Sequence, residues 1–176
     1  IAEAQAALEQ LALDRVIWMP SARPPHKAVG VPPAHRLAMT QLATSDQPDF
    51  DVSDLELRRA GRSFTADTLD ALHALHPDAR WWLILGEDSL ATFPTWRDPK
   101  RIVAHARLAV YRRGDEQPID SPFADYVDWI DAPRVDVSST DLRERLSEGR
   151  SIGGQMPAAV AKYARLHRLY RKANDN

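Results

Sequence analysis

The sequence predicts an α/β fold, a doubly wound parallel sheet covered by helices on both faces. Short apolar runs alternate with helical stretches of about ten residues, the pattern produced by right-handed crossovers between parallel strands. Residues 80–85 form a strongly apolar run that is typical of a buried strand and stops at Gly86. The chain has 176 residues, so residues 1–176 are predicted to form one domain with a polar tail at residues 172–176.

The first part of the chain alternates helix, strand and loop. An amphipathic helix over residues 1–13 leads into a buried strand at residues 15–19. The proline-rich residues 21–33 form a loop, because proline removes a backbone donor and restricts the residue before it. Pro33 suits the first position of the next helix. The elements that follow are a helix at residues 34–44, a strand of alternating polarity at 50–57, a turn holding Gly61 and a helix at 65–76.

The second part continues the alternation after the strand at residues 80–85. Periodicity predicts helices at 88–92 and 98–105, a strand at 107–111, strand fragments at 126–130 and 135–137, and closing helices at 139–147 and 157–166. Ligands of doubly wound folds bind beyond the carboxyl ends of the strands. Positions directly after Met19, Leu85 and Val137 are therefore favoured as functional.

Composition and charge narrow the classes of function. The net charge of −2 argues against a general polyanion binder, so no nucleic-acid partner is expected. The chain has no cysteine, which excludes disulfides and cysteine-based catalytic or metal sites. The longest apolar runs fall far short of the roughly 20 residues that cross a bilayer, and residues 1–13 lack the layout of a signal peptide. We expect a cytoplasmic protein with no membrane partner.

Three hydroxyl residues, Ser138, Ser139 and Thr140, lie where a predicted strand meets a helix. The unpaired N–H groups of a first helical turn form an anion site, and Arg143 could offer a phosphate two donors in a fixed fork. A plain helix cap explains the same hydroxyls, because serine and threonine are favoured there. Asp141 supports the cap, since it supplies its own anion to the helix end. From these residues alone, both interpretations stay open.

Two further positions follow predicted strands. Gly86 lets a ligand approach the backbone, and the Asp88 carboxylate could accept hydrogen bonds from ribose hydroxyls. An ordinary turn explains this pair as well. Lys27 lies beside His26 in the proline-stiffened loop, where a fixed cation could stabilise a transferring phosphate. A solvated surface lysine is the alternative interpretation.

An aromatic residue and a threonine pair could bind a flat, negatively charged substrate. The indole of Trp96 could stack on a heterocycle, although tryptophan more often anchors a core. Thr65 and Thr68 lie about one turn apart at a helix start, where hydroxyl and N–H groups could bind a carboxylate or simply cap the helix. The histidines have no paired spacing typical of a metal site, so no metal site built from protein ligands is predicted.

Taken together, these segments resemble the bacterial nicotinate-nucleotide adenylyltransferases, a branch of the nucleotidyltransferase superfamily with a Rossmann-like fold. The resemblance covers nearly the whole chain, and the conjunction of motifs is far more specific than any one of them. The motifs are Pro24-Pro25-His26-Lys27, Arg36 with Met39, Arg59-x-Gly61-x-Ser63-Phe64-Thr65-x-x-Thr68, Leu85-Gly86-Glu87-Asp88, Phe93-Pro94-Thr95-Trp96, Ser138-Ser139-Thr140-x-x-Arg143, and Pro157-x-x-Val160-x-x-Tyr163.

The resemblance implies a role for each candidate residue. The ATP phosphates would be bound by Ser138, Ser139, Thr140 and Arg143, and the adenosine ribose by Gly86 and Asp88. The nicotinate side of the site would comprise Ser63, Thr65, Thr68, Trp96 and Arg97, with Trp96 stacked on the pyridine ring. Lys27 would lie near the phosphates and act with Arg143 in catalysis. The family commonly has an aromatic residue after the tryptophan, and this chain has Arg97 there.

The mechanism implied by the resemblance is in-line attack of the nicotinate mononucleotide phosphate on the α-phosphorus of ATP, which releases pyrophosphate. Mg²⁺ would be bound through the ATP phosphates. The family begins with a strand, a glycine-rich turn and a His-x-Gly-His motif that this sequence lacks, so we expect the chain alone to be inactive and poorly stable. Two alternatives are a sibling enzyme, such as a phosphopantetheine adenylyltransferase, and a non-catalytic nucleotide-binding domain. The oligomeric state is not predicted.

Overall fold

The computed structural model describes residues 1–23, 30–112, 121–133 and 137–170. The helices within these ranges are α1 (Ala2–Gln10), α2 (Pro33–Thr44), α3 (Thr65–Leu75), α4 (Glu87–Thr92), α5 (Pro99–His105), α6 (Ser139–Ser147) and α7 (Ala158–Leu166). The strands are β1 (Val16–Trp18), β2 (Phe50–Val52), β3 (Trp81–Gly86), β4 (Ala106–Tyr111) and β5 (Val127–Ile130). Short 3₁₀ turns lie at Phe93–Thr95 and Ala124–Tyr126. Within the described ranges, no helix has the length and apolarity needed to cross a membrane.

The contacts of the chain divide it into two compact units. The first unit comprises Ile1–Val16 and Ser63–Arg134, and the second comprises Ile17–Arg62 and Val135–Asn176. The organisation of residues 1–176 as one domain stays a prediction.

The first unit is built on a parallel sheet with the strand order β3-β4-β5. In this register Gly86 pairs with Tyr111, and Tyr111 pairs with Ile130, so the carboxyl ends of all three strands lie along one edge. Helices and turns bury one continuous core against the sheet. Its buried side chains are Ala66, Leu69, Leu85, Leu90, Phe93, Ile102, Ala106, Leu108, Val110 and Phe123.

Charged side chains join α3 to α5 in the first unit. The Arg101 guanidinium pairs with Asp67, lies 3.3 Å from Oδ2 of Asp70 and donates to Oδ2 of Asp98 at 3.2 Å. The Nε2 atom of His105 lies 3.1 Å from Oδ1 of Asp70. Because these pairs are partly exposed, each contributes little to the stability of the fold.

The second unit joins a two-stranded sheet of β1 and β2 to the helices α2, α6 and α7. Val16, the first residue of β1, is assigned to the first unit and the rest of the strand to the second. The helices α2 and α7 are linked by a hydrogen bond of 2.9 Å between Nδ1 of His35 and the Tyr163 hydroxyl. The buried core of this unit consists of Val31, Leu146, Ile152, Ala161, Ala164 and Leu169.

The strand β2 is shorter than the predicted strand at residues 50–57. The Ser53 hydroxyl accepts a hydrogen bond from the Leu55 N–H at 3.2 Å, and the Leu57 N–H donates to the Asp54 carbonyl at 2.8 Å. These local bonds turn the chain, as serine and aspartate often do at the end of a strand. The predicted fragment at 135–137 lies largely outside the described residues, and Val137 is not in a strand.

A partly exposed charge network centred on Asp128 links the three strands of the sheet in the first unit. Its Oδ2 atom accepts hydrogen bonds from Nε1 of Trp82 at 2.7 Å and Nε of Arg107 at 2.6 Å, and its Oδ1 accepts from the same guanidinium at 2.8 Å. The hydrogen bonds from Arg107 lower the pKa of Asp128, although burial acts in the opposite direction. The ionised carboxylate is therefore favoured in the folded state.

Replacing Asp128 by asparagine is expected to make stability less dependent on pH. A carboxylate with a lowered folded pKa stabilises the fold above its unfolded pKa, and that contribution is lost as the pH falls through the folded pKa. We expect Asp128→Asn to lower the free energy of unfolding by about 1 kcal/mol at pH 7 and by much less near pH 3. Urea denaturation at both pH values measures this, with Asp125→Asn as an exposed control. An equal cost at both pH values would contradict the prediction.

Candidate active site

The carboxyl end of β3 presents a glycine packed against a tyrosine. A Cβ atom at Gly86 would lie 3.0 Å from the Tyr111 hydroxyl oxygen and 3.1 Å from its Cζ, tighter than ordinary contacts. The Tyr111 ring therefore occupies the space that a side chain at position 86 would need. Tyr111 was not predicted as a site residue. The only sequence signal for it was its place at the end of the predicted strand at residues 107–111, because the pairing of that strand with β3 is visible only in the structure.

Two acidic residues follow Gly86 in the first turn of α4. Glu87 is buried, with 4% of its surface exposed, whereas Asp88 is exposed. Carboxylates at this position interact favourably with the positive end of a helix. The exposed Asp88 thus presents acceptor oxygens beyond the carboxyl end of β3, where the fold class places ligands. Asp88, and not the neighbouring Glu87, is the candidate ribose ligand that was predicted from the sequence.

The start of α3 holds the three predicted hydroxyl residues. Ser63 and Thr68 are buried, and Thr65 is the first helical residue. The N-cap residue is Phe64, whose ring cannot accept a hydrogen bond, so α3 has no side-chain cap. The Thr68 hydroxyl instead donates to the Phe64 carbonyl at 3.2 Å. Capping therefore does not explain Thr65 or Thr68.

Trp96 and Arg97 follow the 3₁₀ turn after α4. The half-buried Trp96 packs on the core of the first unit, with its ring centroid 5.3 Å from that of Phe93. The Arg97 guanidinium lies over the Phe64 ring, 4.3 Å from the centroid. This contact brings the segment that carries Trp96 against the segment that carries Thr65. An aromatic face and an uncapped helix start therefore lie in one region of the first unit.

In the second unit, the start of α6 is capped by its own serine. The Ser138 hydroxyl accepts hydrogen bonds from the N–H groups of Thr140 at 3.2 Å and Asp141 at 3.4 Å. The cap interpretation therefore holds for Ser138, while Ser139 and Thr140 are exposed in the first turn. The hydroxyl of Ser138 can still donate a hydrogen bond.

Two arginines of α6 differ in their partners. Arg145 donates from Nε to Oδ2 of Asp141 at 2.8 Å. Arg143 is exposed and has no carboxylate partner within the described part of the chain. Because Arg145 neutralises the anion nearest the helix start, the charge of Arg143 stays available for an anionic ligand.

The predicted catalytic Lys27, like His26, lies outside the described residues. The flanks of that segment are held by Arg36, which donates from its guanidinium to the carbonyl oxygens of Ala22 at 3.1 Å and Val31 at 3.3 Å. Burial lowers the pKa of Arg36, against an opposing interaction with Tyr170. Arg36 therefore has a structural reason to occur in the motif with Met39.

The donor set suits an anionic ligand more than a metal cage. Among residues 1–23, 30–112, 121–133 and 137–170, no group of three or more histidine, cysteine, aspartate or glutamate side chains could hold a metal ion. The exposed groups at the start of α6 are hydroxyls and a guanidinium, which bind phosphate oxygens. These residues fit a divalent ion carried by the ligand's phosphates.

Comparison with known proteins assigns the class. The chain matches the model of the cytidylyltransferase-like family over residues 1–145. It is 40% identical over 178 residues to the "Probable nicotinate-nucleotide adenylyltransferase" of Thermomicrobium roseum, covering 96% of this chain and 83% of the relative. It is 42% identical over 182 residues to the protein of the same description from Roseiflexus sp., covering 97% and 90%.

Solved structures agree in fold. The nicotinic acid mononucleotide adenylyltransferase of Plasmodium falciparum complexed with NaAD superposes with a TM-score of 0.76 at 18% identity, covering 96% of this chain and 90% of that chain. The same enzyme complexed with APC gives a TM-score of 0.74. The predicted α/β fold class is confirmed. The chain belongs to the nicotinate-nucleotide adenylyltransferase family, within the cytidylyltransferase-like class, so the resemblance seen in the sequence is confirmed too.

Proposed function

We propose that this protein transfers AMP from ATP to nicotinate mononucleotide, giving nicotinate adenine dinucleotide and pyrophosphate in NAD biosynthesis. The observation that carries the proposal is the contact of Arg97 with Phe64 in a chain of this family. Through that contact, the segment that carries the stacking candidate Trp96 meets the segment at the uncapped start of α3, where Thr65 begins the helix. A flat ring bearing a carboxylate is the ligand that such a combination suits.

The proposed reaction is one in-line displacement. A phosphate oxygen of the mononucleotide forms a bond to the α-phosphorus of ATP while the bond from that phosphorus to the bridging oxygen breaks. The electron pair leaves with pyrophosphate. Because the attacking oxygen is already anionic, no side-chain nucleophile is required, and catalysis consists of positioning and charge stabilisation.

In the first unit, the proposed ligands are the pyridine mononucleotide and the adenosine ribose. Trp96 stacks on the pyridine ring, and the start of α3 receives the carboxylate through Thr65 and neighbouring N–H groups. Buried Ser63 and Thr68 support that segment. At the carboxyl end of β3, Gly86 admits the ribose and Asp88 accepts its hydroxyl hydrogen bonds.

In the second unit, the proposed ligands are the ATP phosphates. Ser139 and Thr140 donate from exposed hydroxyls at the positive end of α6, and Ser138 donates its remaining hydroxyl proton. Arg143 provides a charged fork, and Lys27 adds a second cation for the developing charge. Mg²⁺ bound through the phosphates supplies further neutralisation of their charge.

A substrate comparison tests this proposal on the protein expressed from its complete reading frame. ATP is supplied with nicotinate mononucleotide, nicotinamide mononucleotide or phosphopantetheine, and both pyrophosphate and the adenylated product are measured. We expect the fastest turnover with nicotinate mononucleotide. Turnover with phosphopantetheine alone would instead support the sibling reaction. ATP binding by calorimetry with no turnover of any acceptor would support a non-catalytic nucleotide-binding domain.

A further inference from the structure

We infer that Arg97 sets the preference of the pyridine site for the nicotinate carboxylate over the neutral nicotinamide amide. This inference rests on the proposed function and assigns one residue to its specificity. Carboxylate and amide have nearly the same size and shape, so packing against Trp96 cannot discriminate between them. A fixed positive charge beside the group can discriminate, because only the carboxylate is negatively charged.

The contacts of Arg97 leave its hydrogen-bonding edge available. Its guanidinium stacks by its face on Phe64, with 4.3 Å between the guanidinium carbon and the ring centroid. Stacking uses the face of the planar group, and the N–H donors lie in its plane. The nearest carboxylate oxygen, on Asp98, lies 3.8 Å from Nε, beyond hydrogen-bond distance. Within the described residues, no acceptor hydrogen-bonds to these donors, and 52% of the side-chain surface is exposed.

The place of Arg97 in the fold puts this charge at the start of α3. Phe64, on which it stacks, is the N-cap residue, and Thr65 follows as the first helical residue. A carboxylate bound at this helix start meets the N–H groups of the first turn and the edge of the guanidinium together. Stacking on Phe64 also restrains the arginine before the substrate arrives, which reduces the entropy lost on binding.

Nearby acidic residues make the charge of Arg97 decisive. Asp67 lies in the first turn of α3, and Asp98 directly follows Arg97. Arg101 pairs with both carboxylates and also with Asp70, so three carboxylates cluster between α3 and α5. Loss of the Arg97 charge would make this region more negative and therefore less favourable for an incoming carboxylate. Its charge therefore decides whether the acid or the amide binds better.

Steady-state kinetics with both mononucleotides test the inference. Arg97→Gln keeps a chain of similar length without the charge, and Arg97→Lys keeps the charge without the planar face. We expect Arg97→Gln to lower kcat/KM for nicotinate mononucleotide about tenfold, the loss of one charge-assisted hydrogen bond. The loss should arise mainly in KM, and kcat/KM for nicotinamide mononucleotide should change less than about twofold. Arg97→Lys should retain part of the preference.

A matched control is Arg80→Gln. The Arg80 guanidinium also lies over an aromatic ring of the first unit, 5.9 Å from the Trp82 centroid, but it precedes β3 at the strand end opposite Gly86. The Arg80→Gln substitution should leave the ratio of acid to amide kcat/KM unchanged. Measuring dissociation constants of the two mononucleotides by calorimetry should reproduce the same ratios.

Two results would overturn the assignment of Arg97. One is that Arg97→Gln has the same ratio of acid to amide kcat/KM as the unmodified enzyme. A ratio near one in the unmodified enzyme counts as the same result, because there is then no preference for Arg97 to set. The other is an equal loss for both substrates, which would make Arg97 a structural wall of the pocket. Failure of the proposed function is distinguished from these outcomes, because the unmodified enzyme would then adenylate neither mononucleotide.

Discussion

Arg143→Ala is expected to lower kcat by about a hundredfold or more, the usual cost of losing a charged group that stabilises a developing phosphate charge. The substitution should change the stability of the folded state little, because the Arg143 side chain is exposed and has no carboxylate partner within the described ranges. Steady-state pyrophosphate release measures kcat, and thermal unfolding measures stability. Arg143→Lys should recover only part of the rate, since an ammonium cannot bind two phosphate oxygens in a fork.

The neighbouring Arg145 provides the matched control on the same helix. It is paired with Asp141, so Arg145→Ala should cost about 0.5 kcal/mol of stability, as exposed helical ion pairs do, and change kcat less than threefold. Equal losses of activity in the two variants would show that helix α6 responds to any loss of positive charge. That result would contradict a specific role for Arg143.

Gly86→Val is expected to destabilise the fold by about 2 kcal/mol, the usual size of overpacking in a close contact. Even the first added carbon would lie 3.0 Å from the Tyr111 hydroxyl oxygen, and the branched side chain adds more atoms against the same ring. The φ angle of −84° is ordinary, so the cost is steric and not a matter of backbone strain. Urea unfolding measures the stability, and the KM for ATP should also rise.

Two comparisons separate this steric effect from a general cost of losing glycine. Gly30→Val should change stability little, because a Cβ atom there has no neighbour within 4 Å. In a background with Tyr111→Leu, which removes the ring, Gly86→Val should cost clearly less than it does alone. Additive losses in this double-mutant cycle would exclude the Tyr111 contact as the cause.

The elements that the sequence predicted best are those that begin with a residue typical of a helix start. Pro33 begins α2, and Ser138 caps α6, so both helices start where the sequence indicated. The predicted strand at residues 50–57 was longer than the observed β2, because the alternating pattern of apolar and polar residues continues past Val52. The strand ends there because the N–H groups of Leu55 and Leu57 donate to Ser53 and Asp54 and not to a neighbouring strand. The sequence pattern does not show which of these hydrogen bonds forms.

The sequence by itself determined the family and the residues that bear the proposed chemistry, because their types and spacing lie in short segments such as Ser138 to Arg143. Only the tertiary structure decided which of those residues have partners. It showed that Tyr111 blocks one side of Gly86, and that Arg97 lies on Phe64 beside the start of α3. These contacts join residues far apart in the chain, so they depend on strand register and helix packing, which local pattern does not specify.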